Sequence, residues 1–107
     1  METVSIHVLK FTDTPGARYR KDGPFSGEEF REKYLELHFK KPEYDYKIVV
    51  YLDGTEGFAT SFLEEAFGGL ARKYSVERVL RRLEFVSNED PLLPKEIIKY
   101  VKECKGK

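Results

Sequence analysis

The sequence has no tryptophan and no glutamine, and only one asparagine (Asn88), one methionine and one cysteine among its 107 residues. The lone Cys104 cannot form an internal disulfide, which excludes a stapled secreted scaffold and fits a reducing cytoplasm. Any Cys–His catalytic pair would have to use that same thiol, which lies beside a basic C-terminal end; a packed or exposed structural thiol is the simpler reading. An excess of either charge is missing too, since 19 Lys and Arg face 19 Asp and Glu. Without a bulk basic field, general binding of nucleic acid or of an anionic membrane is not expected. The longest purely apolar run, Ile48 to Leu52, is far short of the ~20 residues that cross a bilayer. No basic segment precedes an apolar stretch at the start, so no signal peptide is expected. Scarce amides beside abundant Lys and Glu lean towards a thermophilic source.

What is present suits a folded domain. The chain is 40% hydrophobic and 36% charged, with 7 Tyr and 8 Phe. A chain of this length hides roughly 65% of its extended surface on folding, so residues 1–107 are read as one domain. Thr3 to Phe11 alternates, with Val4, Ile6 and Val8 on one face and Ser5 and His7 on the other, as a half-buried strand does. Thr12 to Gly27 reads as turns, with a short strand at Arg18-Tyr19-Arg20 pairing back on the first. Ser26 and Glu29 have the spacing of a capping box, opening a helix that runs to about Phe39. Ile48 to Leu52 has the signature of a central strand covered on both faces, and Gly54 and Gly57 mark the turn after it.

Phe62, Leu63, Ala66, Phe67, Leu70, Ala71 and Tyr74 fall on one side of a helix from about Ser61 to Lys73. Ser75 to Leu80 reads as a short helical turn and Leu83 to Val86 as a strand. Asp90-Pro91 opens a last helix with Asp as cap, whose buried stripe is Leu93, Ile97, Val101 and Cys104. Lys95, Lys99 and Lys102 give that helix a basic, solvated side, and the tail 103–107 is expected to fray. The order implies an α/β fold, with helices packed on a mixed sheet of four to five strands.

The stretch Val49-Val50-Tyr51-Leu52-Asp53-Gly54 through Phe58-Ala59-Thr60-Ser61-Phe62-Leu63 resembles the STAS domain of bacterial anti-sigma-factor antagonists. Ala59 stands where that motif has Asp, and Phe62 where it has Gly. The chain is more similar still to a STAS-like family of unknown function, in Gly57 to Leu70 and in Arg18-Tyr19, Gly23-Pro24 and Ser26-Gly27-Glu28. The resemblance implies a STAS-like fold and a phosphorylatable serine at Ser61, with Thr60 as fallback. It also implies a protein partner, a kinase-like ATPase of the anti-sigma type.

Each candidate carries a plain alternative. Ser61 and Glu64 have capping-box spacing, so Ser61 could simply cap its helix; a phosphate there would meet free N–H groups but also Glu64 and Glu65. The partner surface is read as Thr60, Ser61, Glu64, Glu65 and Gly68. Gly68 and Gly69 cost a helix roughly 1 kcal/mol each, which implies close approach of another backbone, inside the domain or across a dimer. Arg18, Arg20 and Lys21 before a helix capped by Ser26 could cradle an anion or nucleotide phosphate, or form a solvated turn. Asp53 is read as a turn residue without a second metal ligand, and His7 and His38 lack neighbours at metal-ligand spacing. No nucleophile–base pair, paired catalytic carboxylates or dinucleotide fingerprint is found. The expectation is a non-enzymatic regulatory interaction module without metal or cofactor; a small-ligand domain built on the Arg18–Ser26 loop is the second reading, and a homo-oligomer stays open.

Overall fold

Three short stretches rich in β-branched residues become the strands: β1 (Thr3–His7), β2 (Lys47–Tyr51) and β3 (Leu83–Val86). The computed structural model describes residues 3–104. β2 lies between the others and both pairings are parallel, with Ile6 opposite Val50 and Val50 opposite Phe85. Among the described residues the sheet therefore has three parallel strands, which corrects the expectation of a mixed sheet of four to five. The expected strand at Arg18-Tyr19-Arg20 is absent because its polar backbone is used otherwise. Arg20–Asp22 forms a 3-10 turn, and the carbonyls of Ala17 and Arg18 accept the N–H groups of Gly27 and Glu28. β1 is also shorter than its alternation suggested, since Val8–Phe11 coils into one helical turn that keeps Val8 and Phe11 buried.

Two long helical runs pack on one sheet face. Residues 27–38 comprise Gly27–Phe30 (α), Arg31–Leu35 (π) and Glu36–His38 (3-10); residues 60–74 comprise Thr60–Leu63 (α), Glu64–Gly68 (π) and Gly69–Tyr74 (α). Their aromatic rings interleave: Phe30 lies 5.8 Å from Phe62 and 6.2 Å from Phe67, and Phe67 meets Phe85 of β3 edge-on at 5.3 Å. Ile6, Ile48, Val50 and Leu83 are buried beneath them. Fully burying each such side chain favours the fold by about 1.5–3 kcal/mol. The helices pack closely at buried Gly27, where a Cβ would lie 2.5 Å from the carbonyl oxygen of Phe62. The opposite sheet face is only partly shielded: Ser5, His7 and Glu84 are exposed, Val49 and Tyr51 half-buried, and the His7 ring stacks on Tyr51 at 4.4 Å. This corrects the reading of β2 as covered on both faces.

The remaining elements close the ends. Ser26 accepts the Glu29 N–H at 3.0 Å as expected, but Glu29 reaches back to the N–H of Phe25 rather than of Ser26. At the other end of that helix two arginines from the helix Val76–Arg82 take its free carbonyls: Arg82 donates to His38 at 2.5 Å and Arg78 to Phe39 at 3.2 Å. Arg82 is fully buried between the rings of Phe39 and Tyr46, 4.6 and 4.7 Å away. The last helix, Leu93–Lys102, starts two residues later than expected, with Leu92 at its N-cap position; Asp90 instead accepts the Leu92 N–H within the preceding turn. Leu93, Ile97 and Val101 form its buried stripe. Of the tail reading, Glu103 and Cys104 are described and residues 105–107 lie outside the described residues. No helix among the described residues is long and apolar enough to cross a membrane.

Candidate functional site

The start of the 60–74 helix and the Arg18–Ser26 loop, two separate candidates in the sequence, meet in space. The helix begins one residue earlier than the spacing implied, with Ala59 at the N-cap and no side-chain cap. Ser61 is therefore not a cap, which corrects the capping-box reading. Its hydroxyl turns to the loop and donates to the carbonyl of Gly16 at 3.1 Å. Two backbone bonds run alongside, from Ala59 N–H to Pro15 and from Glu56 N–H to Asp13, at 3.0 and 2.8 Å. Ser61 is half-buried and Thr60 beside it is exposed.

One turn further on, Arg18 reaches from the same loop to Glu64 at 2.6 Å, and Arg72 reaches Glu64 from along the helix at 2.5 Å. Glu65 turns inward to Arg31 at 2.5 Å, and Arg31 also holds Glu36 at 2.8 Å. Lys73 completes the chain on Glu36 at 2.8 Å. Four cations and three carboxylates thus stitch the loop and both long helices together. Glu64 and Glu65, expected to face a partner, are committed within the chain, and Glu65 is buried at 6% exposure.

The paired glycines make room for this network. A Cβ on Gly68 would lie 2.7 Å from Glu64 Oε2, and one on Gly69 2.5 Å from Arg31 Nη1. Gly68 also sits 3.3 Å, at that same Cβ point, from the backbone carbonyl of Tyr100, so another backbone does approach it, from within the domain. Buried Gly68 presents no side surface of its own.

Electrostatics follow from this packing. Burial alone would raise the pKa of Glu64, but hydrogen bonds from Arg72 and Arg18 outweigh it and hold the group below its ordinary 4.5. Glu36 is lowered likewise, against burial, by Lys73 and Arg31. His38 is lowered from 6.5, first by burial and then by the Arg82 charge. These shifts predict acid loss of stability in two stages. The unfolded chain takes up a proton at His38 that the native state refuses, so stability falls as pH drops below about 6.5. Below about 4.5 Glu64 and Glu36 are protonated in turn, and stability falls again through their lowered folded pKa values. Thermal melts from pH 8 to 3.5 are expected to show both stages, and His38→Gln to remove the first alone.

The other candidates are placed as follows. Arg20 pairs with Glu32 at 2.8 Å, and Ser26 is occupied with its cap. Lys21 is exposed over the Tyr19 ring, 5.7 Å from its centroid, and has no carboxylate partner among the described residues. Asp53 accepts the N–H groups of Asn88 and Glu89 at 2.8 and 2.9 Å, fastening the turn after β3 to the turn after β2. A cavity of about 270 Å³ opens beside it, over Leu52, Phe58 and Leu93. The sequence reading missed Arg31, Glu36 and Arg72. Helix templates pair residues three or four apart, whereas Arg31 and Glu36 are five apart across a π turn and Glu64 and Arg72 eight apart.

A family model described as a STAS-like domain of unknown function (DUF4325) matches residues 26–93. No curated protein and no solved structure matches the chain.

Proposed function

The chain belongs to the STAS-like domain family of unknown function, and from that footing we propose that it is a non-enzymatic regulatory module acting by protein–protein contact. Its readable element is the clasp between residues 12–27 and the start of the 60–74 helix. The observation that supports this reading is the bond from the Ser61 hydroxyl to the Gly16 carbonyl. Phosphorylation replaces that donor with a group of about −1.5 to −2 charge that can only accept. The clasp loses its hydroxyl bond, and the new charge meets Arg18 as well as Glu64. The partner surface then changes at Thr60, Ser61 and the loop in front of them, in a form that a kinase-like ATPase could both write and read. A reducing cytoplasm, where Cys104 stays a thiol, suits this role.

Candidate kinases from the same genome, mixed with the protein and ATP, are expected to place phosphate on Ser61, seen by mass spectrometry. Ser61→Ala removes one hydrogen bond, about 0.5–1.5 kcal/mol of stability, and is expected to leave partner affinity within threefold. Ser61→Asp is expected to change that affinity at least tenfold. Equal affinities for the Ala and Asp variants would remove the switch.

A further inference from the structure

The ion-pair network has a sealed half and an open half. Arg31, Glu36 and Glu65 have side chains only 11, 7 and 8% exposed, whereas Arg18, Glu64 and Arg72 are 32, 20 and 17% exposed. In the open half two guanidinium groups, from the loop and from the helix, converge on one carboxylate. Glu64 lies over the hollow left by Gly68, where any larger residue would meet Oε2. We propose that this is an anion-binding site in which Glu64 is a built-in stand-in, and that the ligand displacing it is a phosphate monoester.

Three features support a displaceable occupant. First, Glu64 is not the only carboxylate near the arginines: Glu65 Oε1 lies 3.7 Å from Arg18 and 3.5 Å from Arg72. When Glu64 swings out, the deeper carboxylate remains within ion-pair distance of both cations. Second, the cluster carries a surplus positive charge, with Arg18, Arg31, Arg72 and Lys73 against Glu36, Glu64 and Glu65. Third, Glu64 is near the surface, so its release returns a carboxylate to water instead of stranding it in the core. A phosphate monoester brings a second charge and a third acceptor oxygen, which suits two guanidinium forks better than one carboxylate does. The tethered Glu64 competes at high effective concentration, so wild-type affinity for a free anion is expected in the millimolar range. This site uses Arg72 in place of Arg20, Lys21 and Ser26, and it stands whether or not Ser61 is modified.

The test is a titration with inorganic phosphate at constant ionic strength, followed by ³¹P line broadening, with chloride as control. Wild-type protein is expected to bind saturably and Glu64→Gln at least tenfold more tightly. Arg72→Gln and the more exposed Arg18→Gln, each confirmed folded by circular dichroism, are expected to lose at least tenfold in both backgrounds. The proposal is overturned if wild-type protein shows no saturable binding up to 50 mM, about the limit set by a millimolar constant. It is equally overturned if Glu64→Gln binds no better than wild type, or if removing Arg18 changes nothing.

Discussion

Gly27→Ala is expected to destabilise the domain by about 3 kcal/mol or more, the upper end for overpacking a filled interior. Alanine is the better helix former by about 1 kcal/mol, so propensity alone predicts the opposite sign. Contact decides the matter. The added Cβ would lie 2.5 Å from the Phe62 carbonyl oxygen and 3.2 Å from its carbonyl carbon and Cα. All three are backbone atoms of the facing helix and cannot rotate aside, so the two helices must part. At roughly 4–8 °C per kcal/mol for a domain of this size, the melting temperature should fall by at least about 12 °C. Gly57→Ala is the control for strain without contact: Gly57 has a positive φ of 125°, which Gly27 lacks, but a Cβ there would meet nothing within 4 Å. A Gly27→Ala variant melting within a few degrees of wild type would mean that the helices do not approach as closely as described.

Arg31→Met should cost about 3–5 kcal/mol, the usual loss when one partner of a buried ion pair is removed. Methionine fills similar space, so the loss reports charge more than volume. Glu65, 6% exposed, loses its short partner, and Glu36, 5% exposed, keeps only Lys73 and the Tyr74 hydroxyl. Adding Glu65→Gln to Arg31→Met should recover more than half of the deficit in urea denaturation, since the stranded charge is then gone. The gap between wild type and Arg31→Met should also narrow below about pH 4.5. There Glu36, held low in the wild type partly by Arg31, becomes protonated and the missing cation matters less. A deficit that is constant from pH 8 to 3.5 would assign the effect to packing instead.

Much of the secondary structure was legible because burial demands a period. Leu83 to Val86 is a strand at the expected bounds, and the apolar stripes of residues 27–38 and 60–74 recur with the helix. Sheet composition was less legible. Arg18-Tyr19-Arg20 carries no apolar face to tie it to a sheet, and its neighbours' carbonyls are used by Gly27 and Glu28. The Ile48 to Leu52 run hid a one-sided strand because Val49 and Tyr51 are apolar yet half-exposed. At the site, Ser61, Arg18 and Glu64 could each be picked out by type, but their union depends on a loop folding back across forty-six positions. Arg31 and Arg72 stayed hidden because π turns shift the angles at which side chains align. Gly68 and Gly69 signalled a close approach; that charged side chains supply much of it could not be read from their spacing.

The all-parallel register also bears on how the chain reaches its native state. Thr3 pairs with Lys47 and Ile48 with Leu83, so no two strands can zip together through a tight hairpin. Each pairing must wait until a long intervening stretch has been gathered in, and such distant closures slow folding relative to locally connected topologies. The helices between the strands are the segments able to organise early, with the N-terminal strand docking only once Lys47–Tyr51 offers an edge to receive it.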